Sequence, residues 1–154
     1  EEKTKAWLTA VHGLEPKVYP KNSPQVKAVS NGEIEIGWVN HYYLHKLRAS
    51  NPELKAANYS FRNKDDAGNV MMLSGIAITK STGQREAALK LISYLVSEKV
   101  QKRFAQELFE YPTHPGVTPH VDVPPIDAQM LRVDQGHLAD VQPTLAMLRE
   151  LQLL

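Results

Sequence analysis

Chemistry concentrates in the stretch Asn40-His41-Tyr42-Tyr43. Two adjacent phenols invite two readings. Most tyrosines pack their rings into the fold and leave the hydroxyl in water. The sharper reading is a hard-cation site: a phenolate oxygen is anionic and hard, and so suits Fe(III) better than a soft sulfur ligand would. A phenol gives up its proton only near about pH 10. An incoming cation must therefore displace that proton, and uptake should weaken as pH falls. A helix N-terminus at this point would favour anionic oxygens. Neighbouring positions on a regular helix do not face each other, so both hydroxyls reach one ion only if the backbone is irregular at this turn.

Three other groupings carry ligand-type residues. His41 and His45 are spaced i, i+4, which puts both on one helical face and could serve a divalent metal. No third ligand lies nearby in the sequence, and an exposed helix face explains the pair equally well. Asn22 and Ser23 stand where a helix begins, so their amide, hydroxyl and backbone N–H groups could seat an anion, although capping alone explains the serine. Glu110, His114 and His120 lie in a proline-rich segment at irregular spacing, as solvated loop residues do. No phosphate loop, dinucleotide glycine pattern, nucleophile elbow or His-Glu-x-x-His motif is present.

The elements that must position these groups alternate in type. Residues 4–12 predict a short helix ending near Gly13, and 17–19 a short strand. Ser23-Pro24 predicts the start of a helix running to about Ser30, with serine as cap and proline at the first position, closed by Asn31-Gly32. Residues 33–39 alternate, with Ile34, Ile36 and Trp38 on one face, and predict a half-buried strand. Asn40 closes it, and 41–50 has helical composition, so the tyrosines fall at a strand-to-helix junction. Residues 57–62 predict a strand and Asp65-Asp66-Ala67-Gly68 a turn. The apolar run from Val70 to Ile78 suits a strand covered on both faces. Residues 85–96 predict a helix with Ala88, Leu91, Ile92 and Leu95 on one face. Ser97 caps another, striped by Val100, Phe104, Ala105 and Leu108. Prolines at 112, 115, 119, 124 and 125 make the next segment extended and semi-rigid. A last helix is expected from Pro143 to about Gln152. The order is that of an α/β fold, with few strands for its length.

Composition narrows the class. The chain has 154 residues, 42% of them apolar, enough for a core and against wholesale disorder. A net charge of +1 argues against nucleic acid or an anionic membrane as partner. The absence of cysteine excludes thiolate sites and disulfides. No apolar stretch approaches the roughly 18 residues that span a bilayer. No signal peptide is visible, so a targeting segment is expected to have been removed, or the chain to be a fragment.

The stretch from Asn31 to His45, Asn31-Gly32-Glu33-Ile34-Glu35-Ile36-Gly37-Trp38-Val39-Asn40-His41-Tyr42-Tyr43-Leu44-His45, resembles the central signature of the periplasmic ferric-iron-binding protein family. In that family a Gly-Glu strand leads to Asn, one residue, then a Tyr-Tyr pair. The resemblance continues through Asp66-Ala67-Gly68, Leu73-Ser74-Gly75-Ile76-Ala77 and Ser97-Glu98-Lys99-Val100-Gln101. It then takes in Glu110-Tyr111-Pro112, Pro115-Gly116-Val117 and Leu148-Arg149, and so runs in order over nearly the whole chain.

The resemblance implies a type 2 periplasmic-binding-protein fold, α/β, of two lobes closing on a ligand, with this chain as about its C-terminal half. It implies residues 1–66 as part of the second lobe, carrying the tyrosine motif. Residues 67–112 would be the crossing strand and helices of the first lobe, with Ser74-Gly75 at the crossing. Residues 113–154 would be an extended segment and terminal helix returning to the second lobe. It implies Tyr42 and Tyr43 as ligands of Fe(III), Asn40 and Asn22 beside a synergistic anion such as carbonate or phosphate, and His41 as a secondary candidate. The implied role is the solute-binding component of an ABC importer, not an enzyme. Such a protein is exported to the periplasm or the extracellular face of the cell membrane, takes up ferric ion or a small ferric chelate, and delivers it to a permease. Alternatives are a same-fold binder of another small anion or chelate, an enzyme on the same fold, and a fragment that binds nothing. The absence of cysteine and of a clustered acid–base pair stands against the enzyme. One departure matters: chains of this family are roughly twice as long, so the remaining ligands and part of the sheet are expected to be missing. The apolar surface left exposed favours self-association.

Overall fold

The computed structural model describes the chain except for residues 62, 64, 65, 127–132, 135, 137 and 138. Among the described residues the regular structure is helical: α1 (Glu2–His12), α2 (Asn22–Ser30), α3 (Tyr42–Ser50), a 3-10 turn (Ala67–Asn69), α4 (Arg85–Leu95), α5 (Glu98–Leu108) and α6 (Gln142–Glu150). The chain divides into two compact units, residues 21–131 and residues 1–20 with 132–154.

The larger unit is built on α2 and α3. Val26, Leu44, Leu54 and Ala56 form its buried core, flanked by Val29, Val39, Tyr43 and Leu47. The chain after α3 is tied back to it: the Lys55 N–H donates to Ser30 Oγ at 2.9 Å, and the Arg48 guanidinium donates to the Ala56 carbonyl. Gly32 ends α2 because its backbone is left-handed, φ 75°. The Glu33 N–H then reaches back to the Ala28 carbonyl at 2.9 Å and the Gly32 N–H to that of Val29 at 3.1 Å, satisfying carbonyls the helix leaves open. Gly68 in the 3-10 turn has the Phe61 ring where a Cβ would stand.

α5 is held by a buried glutamine. Gln101 donates to the Leu95 carbonyl at 3.0 Å and accepts from the Thr113 N–H and hydroxyl at 2.8 and 3.0 Å, so its amide is satisfied while anchoring the proline-rich segment. In the smaller unit Lys5 of α1 meets the Glu150 carboxylate of α6 at 2.7 Å.

Several sequence expectations are corrected here. α2 begins two residues early, with Lys21 in the cap position and no side-chain cap, so Asn22, Ser23 and Pro24 all lie in the first turn. Proline is tolerated there because first-turn N–H groups have no intrahelical partner to lose. Ser97 is the N-cap of α5 as expected, but its hydroxyl donates to the Tyr94 carbonyl at 2.6 Å and makes no side-chain cap bond. Asp66 initiates the turn by accepting from the Gly68 N–H, while Asp65 lies outside the described residues.

The expected strands at 17–19, 33–39, 57–62 and 70–78 form no ladder among the described residues, and residue 62 lies outside them. Ile36 and Trp38, expected on a buried face, are 78% and 63% exposed. Met72 and Leu73 are likewise exposed. A strand is stable only when a neighbour pairs its N–H and C=O groups, and no described segment supplies that neighbour. The α4 stripe is also open, with Leu91 exposed and none of the helix buried. On α5, Val100, Gln101 and Ala105 are buried, whereas Leu108 of the expected stripe is exposed.

Candidate metal site

Adjacent tyrosines converge because α3 starts tightly. His41 already has helical backbone, φ −52° and ψ −38°, and the Tyr43 N–H donates to the Asn40 carbonyl at 3.2 Å, one residue closer than a regular helix bond. The irregularity that two neighbouring hydroxyls require is therefore present at this turn. The Tyr42 and Tyr43 rings lie 4.5 Å apart at 35°, both half-buried.

The amides join the phenols from two elements. The Asn40 side chain donates to the Tyr42 hydroxyl at 3.3 Å. Asn22, in the first turn of α2, acts on the Tyr43 hydroxyl from the second element and lowers its pKa. The early start of α2 is what puts Asn22 on that helix. Four expected site residues, Asn22, Asn40, Tyr42 and Tyr43, thus share one cluster.

The two phenols are not equivalent. Their mutual hydrogen bond raises Tyr42 above the ordinary tyrosine range and lowers Tyr43 below it. Asn40 opposes the first shift by donating to Tyr42, and burial adds to it. Asn22 strengthens the second, and the Lys46 ammonium works in the same direction. Tyr43 is the phenol poised to ionise first. Two oxygens with amide donors beside them can offer a hard cation two anionic ligands and a neighbouring anion two hydrogen-bond donors.

His41 lies against this cluster, its ring edge-on to Tyr42 at 5.7 Å. Its Nε2 is 2.8 Å from the Phe109 carbonyl. A carbonyl only accepts, so Nε2 carries the proton and any lone pair His41 offers is on Nδ1. His45 is buried, stacked on Phe109, with its Nε2 3.3 Å from the Asn58 amide. Burial pushes its pKa down, and the neighbouring His41 and Arg48 add to the effect. One nitrogen of each ring in the i, i+4 pair is therefore engaged, by Phe109 and by Asn58. Among the described residues no three histidines, aspartates or glutamates gather in a metal-binding arrangement.

The proline-rich trio disperses. His114 accepts from the Gly116 N–H and His120 from the Asp122 N–H, each within its own turn, at 3.1 Å. Glu110 alone stays by the phenols, where its charge opposes the ionisation of both. Sequence reasoning missed two supports of this arrangement. Phe109 ends α5 in left-handed backbone, φ 61° and ψ 29°, which costs a residue with a Cβ roughly 1–2 kcal/mol. Its ring is buried between His45 and His120, which offsets that strain. Tyr111 lies 4.9 Å from the His41 ring and donates to the Pro124 carbonyl at 2.6 Å. Neither contact has a local signature, since both join segments far apart in the chain.

The chain matches the family described as bacterial extracellular solute-binding protein over residues 1–139. It is 35% identical over 123 residues to iron uptake protein A1 of Synechocystis sp., covering 76% of this chain and 34% of that protein. It is 32% identical over 111 residues to the major ferric iron-binding protein of Neisseria meningitidis, covering 71% and 34%. The Fe(3+)-binding periplasmic protein of Serratia marcescens is 26% identical over 142 residues, covering 85% and 41%. The chain thus spans about a third of the length of the first two relatives. The family has the type 2 periplasmic-binding-protein fold, of which the helices described above are a part, and its members named here are iron-binding or uptake proteins, not enzymes. With most of its length inside the match, this chain belongs to the bacterial extracellular solute-binding proteins.

Proposed function

We propose that this chain carries part of a ferric-iron site, with Tyr42 and Tyr43 as phenolate ligands and Asn22 and Asn40 as donors to a synergistic anion such as carbonate or phosphate. The observation that carries this reading is the convergence of both hydroxyls and both amides at the first turns of α2 and α3. The names of the relatives supply the cargo, Fe(III). His41 orients the turn through Phe109 and stands behind the pair as a secondary ligand candidate. In the parent protein the cargo is closed between two lobes, released to an ABC permease, and handled in the periplasm or at the extracellular face of the cell membrane. The exposed apolar segments around Ile36 and Met72 favour self-association of this chain by itself.

Titration with ferric citrate at neutral pH tests the site. The unaltered chain should develop a visible tyrosinate-to-iron charge-transfer band, and a Tyr42→Phe, Tyr43→Phe double variant should not. A band of equal strength in both would remove the tyrosines from the site.

A further inference from the structure

The turn that carries the two tyrosines is held from outside by a residue that offers the site no ligand. The segment after α3 alternates: Leu54 and Ala56 are buried in the core, while Lys55 and Ala57 are exposed. Two ties fix its register on the helices, the Lys55 N–H on Ser30 Oγ at 2.9 Å and the Ala56 carbonyl on the Arg48 guanidinium. Asn58 is the next inward position of that alternation, and an amide stands there in place of an apolar side chain. Its Nδ2 donates to the His41 carbonyl at 3.1 Å and to His45 Nε2 at 3.3 Å. A carbonyl only accepts, so the amide nitrogen is the atom that faces it, and His45 Nε2 is the unprotonated ring nitrogen. The two hydrogens of that nitrogen are both used.

These two acceptors bracket the phenols. The His41 carbonyl belongs to the peptide that leads into Tyr42, and His45 lies two residues beyond Tyr43. The turn between them is the tight one, in which the Tyr43 N–H bonds the Asn40 carbonyl at 3.2 Å and neighbouring phenols converge. The His41 ring is fixed separately by the Phe109 carbonyl at 2.8 Å, so Asn58 holds the backbone of this residue and Phe109 its side chain. We infer that Asn58 is a positioning residue of the candidate iron site, holding the first turn of α3 at His41 and His45 so that both phenol oxygens reach one ion. The inference rests on the phenolate reading proposed above.

Ferric citrate titrations of the unaltered chain, Asn58→Leu and Asn58→Ala test it, each with the charge-transfer band recorded at saturation and a thermal melt of the iron-free chain. Leucine keeps the bulk of the side chain and alanine removes it, so an effect common to both belongs to the lost donor. Losing a group that orients the ligands of a metal costs about 10- to 100-fold in affinity, so both variants should need at least about ten-fold more iron for half-saturation. Their band should also shift in wavelength, because the phenolates would meet the ion at altered angles. A lower melting temperature with half-saturation and band position unchanged in the folded protein makes Asn58 merely structural and overturns the inference. Curves and bands that overlay those of the unaltered chain overturn it too, and in both cases the phenolate site still stands. Absence of the band in the unaltered chain removes the phenolate site, and the role of Asn58 with it.

Discussion

At the residue scale the central feature is a pair of phenols made unequal by their own hydrogen bond. Tyr43 is lowered and Tyr42 raised. A tyrosine ordinarily gives up its proton only near about pH 10, so two phenolate ligands imply two protons released on binding. At fixed free Fe(III) activity, apparent affinity should rise by about 100-fold per pH unit near neutrality and by about ten-fold per unit once Tyr43 has ionised. Tyr43→Phe or Tyr42→Phe should reduce the neutral slope to about ten-fold per unit. A pH-independent affinity would show that no phenol proton is displaced. His45 gives a separate prediction about stability. Its folded pKa is depressed by burial, so the unfolded chain binds the proton more readily and stability is lost as pH falls. Melting temperature should decline as pH drops below about 6.5, the ordinary histidine value, and His45→Phe should flatten that decline. The motif residues were legible in the sequence, because Tyr-Tyr after Asn is local. Glu110 was visible only as a member of a trio that the structure breaks up, since its place depends on the left-handed turn at Phe109.

At the element scale, legibility followed locality. The six α-helices among the described residues were readable from periodicity and punctuation, with starts displaced by up to two residues, because a helix satisfies its backbone within itself. The strands form no ladder among the described residues because strand pairing is a property of two segments, and alternation in one segment does not provide the other. The alternation at Ile34, Ile36 and Trp38 is nevertheless real, and it leaves apolar side chains in solvent. Two positions test the helical framework. Gly32→Ala forces a Cβ into left-handed backbone and should lower stability by about 1 kcal/mol in urea unfolding. Gln101→Ala leaves the Thr113 N–H and the Leu95 carbonyl without their partner and should cost about 1–3 kcal/mol. An unchanged unfolding midpoint for Gln101→Ala would mean that α5 and the proline-rich segment are not joined through it.

At the scale of the molecule, the chain spans about a third of its closely matching relatives and exposes apolar surface along 33–39, 70–78 and α4. Gel filtration over a concentration series should show self-association that strengthens with concentration. A monomer at all concentrations with a cooperative melt would contradict it. The long-range features bear on the phenols: Asn22 of α2 lowers the Tyr43 pKa, and the Glu110 charge after α5 opposes the ionisation of both. The central claim is that both tyrosines ligate iron, and resonance Raman spectroscopy of the Fe(III)-loaded chain, excited within its visible band, tests it most directly. The account predicts enhanced tyrosinate ring modes that weaken in either single phenylalanine variant and vanish in the double variant. Iron bound without those modes, or with modes that survive the double substitution, would contradict it.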